Sequence, residues 1–249
     1  MPVLAQIVVL LPAYNEEPAI GPLLEQIESS LNGRDYAVVV VDDGSTDGTL
    51  AAARRYLDRM PLSIVPRTAN GGLGAAMATG IAHIRRTGHA GVLFTMDSDN
   101  TQDPALMPAM LTEIERGADL VVASRFVPGG EAIGVPFYRK VLSGGASVLF
   151  GVAIGARGVR DYTCGYRCYR MALIDRLAHR FHPMIRARGF AVMTELLAKA
   201  AAEDARCAEV PLVLRYDLKP GRSKLKLIPT LLEYARVLFL ARLEAWRTA

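Results

Sequence analysis

Two aspartates one residue apart, Asp97 and Asp99, close the apolar run Val92-Leu93-Phe94-Thr95-Met96. Anions held that close repel each other, and a hard divalent cation bridging the phosphates of a substrate is the chemistry such a pair serves. Alone, the triplet is no more than a solvated loop. Three further loop motifs accompany it: Pro12-Ala13-Tyr14-Asn15-Glu16, Asp42-Asp43-Gly44-Ser45-Thr46-Asp47 and Asn70-Gly71-Gly72-Leu73-Gly74. An aromatic ring, amide and carboxylate acceptors and flexible glycines suit the base, ribose and pyrophosphate of a nucleotide. Each motif singly has a plain structural use, the aspartates as a helix cap and the glycines as a turn. Four of them on one rim point to a shared cleft.

The rim follows from the elements that carry the motifs. Short apolar runs at Ile7–Leu11, Ala37–Val41, Leu62–Val65, Val92–Met96 and Leu120–Ala123 read as strands, and helical patterns fall between them. Asn15 is expected to cap a first helix carrying Ile20, Leu23, Leu24, Ile27 and Leu31. A second helix covers Leu50 to Leu57 and a third Gly74 to Arg86, while Asp103 caps a fourth that Pro104 begins. Strand–helix alternation implies right-handed crossovers and a mostly parallel sheet, whose carboxyl edge gathers the loops. Beyond Arg125 the pattern changes. Val141 to Ala156 is small, apolar and glycine-interrupted, suiting a core helix or one lying against lipid, and Glu209–Leu214 reads as a further strand. In the tail, Ile228, Leu231, Leu232, Ala235, Leu238 and Phe239 form a stripe. It suits packing onto the domain, a membrane interface, or contact with another subunit.

The 249 residues suffice for one α/β domain with a substantial core or for two small ones; 51% hydrophobic and 22% charged residues argue against disorder. A net charge of +4 argues against a dedicated nucleic-acid binder. The excess is uneven, however: Arg215, Lys219, Arg222, Lys224 and Lys226 lie close together and suit phosphates or an anionic membrane surface. Cys164, Cys168 and Cys207 read as reduced thiols. No leader-like or bilayer-length apolar run is visible, so a cytoplasmic location is expected.

In their order and spacing the four motifs resemble the inverting family 2 glycosyltransferases of the GT-A fold, a Rossmann-like α/β architecture. Ser124-Arg125-Phe126-Val127-Pro128-Gly129-Gly130, Arg139 with Ser143, Asp161-Tyr162-Thr163-Cys164-Gly165-Tyr166-Arg167 and Gly221-Arg222-Ser223-Lys224-Leu225 resemble its dolichol- or polyprenol-phosphate mannose synthase branch. The similarity runs from about residue 7 to residue 226. It implies a catalytic domain over residues 1–227 and a C-terminal amphipathic helix over 228–249. It also implies transfer of a sugar, mannose from GDP-mannose first, to a polyprenyl monophosphate on the cytoplasmic face of a membrane. The alternative is a family 2 transferase using a UDP-sugar and a lipid-phosphate or hydroxyl acceptor.

By the same resemblance, Pro12, Tyr14, Asn15, Glu16, Val41, Asp43, Asn70, Asp97, Ser98, Asp99, Arg125 and Lys224 would hold the nucleotide sugar. Arg125, Arg139 and Ser143 would receive the acceptor phosphate. Asp97, Asp99 and Gln102 would bind Mg2+ or Mn2+, and Asp97, Asp99, Arg139 and Lys224 would carry catalysis. Arginine is the best fork for phosphate oxygens. A phosphate monoester is already ionised near neutral pH and needs little help from a base. A hydroxyl acceptor would need one, and Asp161 and Glu195 are the candidates. Two positions depart from the branch. Thr101 stands where it has Gln, with Gln102 next, and Leu218 stands where it has Arg. Lys219 follows Leu218, and on a strand it would face away from the site.

Overall fold

The computed structural model describes residues 7–88, 91–219 and 227–246; the side chains of 138, 139, 227, 228 and 240–246 fall outside it. In chain order the elements are β1 (Ile7–Ala13), α1 (Glu17–Ser30), β2 (Tyr36–Asp42), α2 (Thr49–Arg54), β3 (Leu62–Pro66), α3 (Leu73–Thr87), β4 (Val92–Thr95), α4 (Met107–Glu115), β5 (Leu120–Ser124), β6 (Glu131–Ile133), α5 (Phe137–Ile154), β7 (Arg167–Arg170), α6 (Met171–Arg180), α7 (Ala191–Ala202), β8 (Cys207–Pro211), β9 (Val213–Arg215) and α8 (Leu227–Trp246).

Seven strands form one sheet in the order β3-β2-β1-β4-β7-β5-β8. Strands β3, β2, β1 and β4 run parallel, as does β8 with β5, and β7 is antiparallel to both its neighbours. Continuous apolar runs make strands buried on both faces. Val8 to Leu11, Val40, Val41 and Leu93 are fully enclosed between the helical layers. Each such side chain contributes about 1.5–3 kcal/mol by leaving water. Gly80 lets α3 press onto this sheet, since a Cβ there would come within 2.2 Å of Leu10 Cδ1.

Several expectations need correction. Asn15 does not cap α1. It takes a left-handed turn at φ 53°, its Oδ1 accepts from the Thr46 amide at 2.8 Å, and its own amide donates to Ser45 Oγ at 3.0 Å. The loop after β1 is thereby tied to the loop after β2. Asp103 does cap: its Oδ1 accepts from the Ala105 amide at 2.9 Å in the 3-10 turn Pro104–Leu106 that leads into α4. The single strand expected over Glu209–Leu214 is two. Pro211 lacks the N–H that would extend the ladder, β8 ends there, and β9 crosses to pair with β6 in a separate two-stranded sheet. The sequence reading missed β7, whose Arg-Cys-Tyr-Arg pattern looks like a loop. Arg167 is nonetheless fully buried, donating to the carbonyls of Cys164 at 2.9 Å and Tyr162 at 3.1 Å.

Helix α8 lies against α7 and α5. Thr230 and Val237 are buried there, while Leu231, Leu232 and Phe239 stay exposed. Much of the apolar stripe therefore faces outward. Helix α5 likewise presents Phe137, Val148 and Val152 at 70% exposure or more. No helix of the described residues is long and apolar enough to cross a membrane.

Candidate active site

The parallel register brings the loop motifs to one edge. Ala13 pairs with Asp42 and Leu10 with Thr95, so β1, β2 and β4 release their loops side by side. Hydrogen bonds between loops fix the edge: the Asp43 amide donates to the Ala13 carbonyl at 2.8 Å, and Ser98 Oγ to the Pro12 carbonyl at 2.8 Å. The Glu16 amide donates to Thr49 Oγ1 at 2.7 Å. Asp43 shapes the glycine turn, because its carboxylate accepts from Arg67 Nε at 2.7 Å, the Gly71 amide at 3.1 Å and the Gly72 amide at 2.8 Å. Asn70 Oδ1 joins it on the Gly72 amide at 3.0 Å. Val41 is enclosed, its side chain against α3 beside Gly80, so only its backbone could meet a ligand.

The two acids of the opening triplet are braced from within their own turn. Thr101 Oγ1 donates to Asp99 Oδ1 at 2.7 Å. Gln102 grips Asp97 twice, its Oε1 accepting from the Asp97 amide and its Nε2 donating to Asp97 Oδ2, both at 2.9 Å. Gln102 thus orients Asp97. The remaining oxygens, Asp97 Oδ1 and Asp99 Oδ2, are hard anionic donors of the kind that hold Mg2+ or Mn2+. Burial, and then the charges of Asp99 and Glu16, raise the Asp97 carboxyl to about 7 against the opposing pull of Lys219 and Arg125. A carboxyl whose proton is held that high, beside a second acid, suits a site completed by added positive charge.

Lys219 supplies part of that charge within the chain. Its Nζ pairs with Asp99 Oδ2. This overturns the expectation that Lys219 faces away. The segment before it is not a strand but a 3-10 turn, Tyr216–Leu218, which swings the lysine inward. Asp217 and Pro220, both turn formers, were the sequence signal for it. Burial would lower the Lys219 ammonium, but Asp99 beside it wins and raises it.

Arg125 stands across the cleft in a two-pronged ion pair, Nε and Nη2 each 2.7 Å from the Asp161 carboxylate. Burial opposes the charge on both partners, yet their mutual attraction raises the Arg125 guanidinium and lowers the Asp161 carboxyl. Nη2 also donates to Thr163 Oγ1 at 2.8 Å, which lies 3.3 Å from Ser143 Oγ. Arg125, Ser143 and Thr163 share a cavity of about 360 Å3 with Asp97 and Gln102. Its walls turn apolar through Val135, Leu142, Ala146, Leu214 and Leu231, and Tyr234 of α8 closes one side. Tyr234 and Lys140, another lining residue, were not singled out from sequence, and Thr163 entered only as part of the Asp161–Arg167 motif, with no role of its own. The Arg139 side chain and the whole of Lys224 lie outside the described residues. Glu195 belongs elsewhere: it pairs with Lys199 Nζ at 2.7 Å and lines a separate cavity with Phe181 and Val237.

Comparison with known proteins agrees with this layout. The profile of Glycosyl transferase family 2 matches residues 8–180. A protein of Pyrococcus furiosus named dolichol-phosphate mannosyltransferase is 31% identical over 96% of this chain, which spans 63% of that protein's length. A polyprenol monophosphomannose synthase of Mycolicibacterium smegmatis is 31% identical over 87% of this chain and 80% of its own. An undecaprenyl-phosphate mannosyltransferase of Micrococcus luteus is 32% identical over 88% and 87% respectively. Among solved structures, glucosyl-3-phosphoglycerate synthase from Mycobacterium tuberculosis, in complex with Mn2+, UDP and glucosyl-3-phosphoglycerate, superposes with a TM-score of 0.69. It is 23% identical, over 96% of this chain and 79% of that one, a likeness of fold.

Proposed function

This chain belongs to glycosyl transferase family 2, and from that premise we propose that it transfers mannose from GDP-mannose to a polyprenyl monophosphate with inversion. The observation that carries this reading is the cavity itself. Its polar end joins Asp97 to Arg125, Ser143 and Thr163, and its walls become apolar towards α5 and α8. A phosphate on a long hydrocarbon chain has that division of chemistry. The names of the Pyrococcus, Mycolicibacterium and Micrococcus relatives support mannose as the sugar and a polyprenyl-type phosphate as the acceptor.

In this reading the donor lies along the rim over Pro12, Tyr14, Asn15, Glu16, Val41, Asp43 and Asn70, with Ser98 joining the loops beneath it. Asp97 and Asp99 would hold a divalent cation, and Gln102 keeps Asp97 aimed. The Mn2+ and Mg2+ complexes of the Mycobacterium enzyme support a cation of this kind. When bound, the cation supplies positive charge against the departing nucleoside diphosphate. Lys219 sits beside Asp99 to add a second positive charge there, as Lys224 would. Arg125 and Ser143, together with Arg139, receive the acceptor phosphate and aim one oxygen at the anomeric carbon. A single in-line displacement then inverts that centre.

Both acids expected as bases for a hydroxyl acceptor are engaged, which favours a phosphate acceptor. Asp161 has a fully buried side chain locked on Arg125, and Glu195 is locked on Lys199. Residues 1–227 would form the catalytic domain and residues 228–249 the C-terminal amphipathic segment that packs on it or meets the membrane interface. The outward apolar faces of α5 and α8 would rest on the cytoplasmic membrane surface from which the acceptor is drawn. The test is transfer of labelled mannose from GDP-mannose to polyprenyl phosphate with Mn2+, run beside UDP-glucose and beside a free polyol. Product on the lipid from GDP-mannose is expected. Product only on the polyol, or none with chelator and Mn2+ alike, would overturn the proposal.

A further inference from the structure

The segment joining α6 to α7 crosses from the C-terminal helix to the donor rim, and its backbone groups have assigned partners on both sides. From α7, the Glu195 carboxylate accepts from the Arg186 amide at 2.9 Å and the Ala187 amide at 2.8 Å. From α8, Glu233 accepts from the Arg188 amide at 3.2 Å and the Gly189 amide at 2.9 Å. The carbonyls face the other way. Arg188 O accepts from the Gly74 amide at 2.8 Å. A Cβ on Gly72 would approach that carbonyl to 2.6 Å, and one on Gly74 would approach Ala187 O to 1.8 Å. The segment is therefore seated on the start of α3, against the glycine turn whose other support is Asp43. Gly72 is held at φ 84°, a conformation that few other residues adopt.

We propose that Glu233 is a positioning residue for donor binding: by holding the amides of Arg188 and Gly189 it fixes the carbonyls on which Gly72 and Gly74 rest. The inference rests on the reading of Asn70 as a donor contact given above, since the Asn70 side chain accepts from the Gly72 amide. It also ties two parts of the molecule together. Helix α8 borders the lipid-side cavity through Leu231 and Tyr234 and, one residue from Tyr234, sets the shape of the nucleotide side. A carboxylate is required because a single side chain must accept from two adjacent N–H groups. An amide offers one oxygen and presents its own N–H2 to the second donor.

The experiment is titration of GDP and UDP, each with Mn2+, against the full chain in four forms: wild type, Glu233→Gln, Gly189→Ala and Val237→Ala. Glu233→Gln removes one charge-assisted bond and should weaken nucleotide binding by about tenfold. Gly189→Ala reaches the same contact from the opposite side, since its Cβ would lie 2.7 Å from Glu233 Oε2, and should act in the same direction. Val237→Ala loosens the packing of α8 without touching the amides; it should lower the unfolding midpoint and leave the nucleotide affinity alone. In turnover, Glu233→Gln should raise KM for the donor and not for polyprenyl phosphate. Unchanged nucleotide affinity in both Glu233→Gln and Gly189→Ala would overturn the inference, as would losses no larger than that of Val237→Ala. Failure of the wild type to bind either nucleotide is a separate result that would overturn the donor reading as well.

Discussion

Replacing Asp161 by Asn tests the ion pair that aims Arg125. The carboxylate accepts two bonds of 2.7 Å from the guanidinium, and further bonds from the amides of Arg125 at 3.2 Å, Thr163 at 3.2 Å and Cys164 at 3.1 Å. Asparagine keeps the shape and one acceptor oxygen, but turns an N–H2 towards donors and leaves a guanidinium that is 15% exposed without its counter-ion. Breaking a buried pair costs about 3–5 kcal/mol, and the retained oxygen sets the expectation at the lower end. In a chain of this size that corresponds to a fall of about 6–12 °C in Tm. Urea unfolding at pH 7, followed by circular dichroism, measures the loss directly. The pH dependence gives an independent check. The Asp161 carboxyl is held below its usual value in the folded protein, so the stabilisation is complete above the unfolded value of about 3.9 and fades as pH falls through the folded one. The gap between wild type and variant should therefore narrow below about pH 4. A difference under about 1 kcal/mol at pH 7, or one that persists undiminished in acid, would refute the reasoning. The misdirected Arg125 should also raise KM for polyprenyl phosphate more than KM for the donor.

Two further outcomes are expected. Lys219→Met removes the counter-ion of Asp99, so Mn2+ alone should bind more tightly while nucleoside diphosphate with Mn2+ binds about tenfold more weakly, the equivalent of one charged contact; a loss or a gain in both titrations would contradict the placement of Lys219 at the site. Val148, Val152 and Leu232, 70%, 82% and 68% exposed, changed together to Ser should abolish co-sedimentation with anionic vesicles and spare transfer to a short-chain soluble acceptor; undiminished sedimentation would remove the membrane from the account.

The sequence by itself determined what nearest-neighbour physics controls. Uninterrupted apolar runs such as Val38 to Val41 can satisfy themselves only as buried parallel strands, and strands of one direction must release their loops at one edge. That is why Asp43, Asn70, Asp97 and Asp99 could be assigned to a common rim before any coordinates. Asp103 as a cap was equally legible, because its bond reaches only two residues along the chain. Tertiary structure alone decided everything that depends on long-range closure. Asn15 looked like a cap until the loop after β2 arrived to take its oxygen. Strand β7, with an arginine at each end, is a strand because β4 and β5 leave a gap for it and because buried carbonyls accept from Arg167. Lys219 lies 120 residues from the aspartate that it meets, and Glu233 lies 44 from the amide that it holds. Periodicity carries no information across such separations, since the partners are chosen by how helices and loops close over the sheet and not by spacing along the chain.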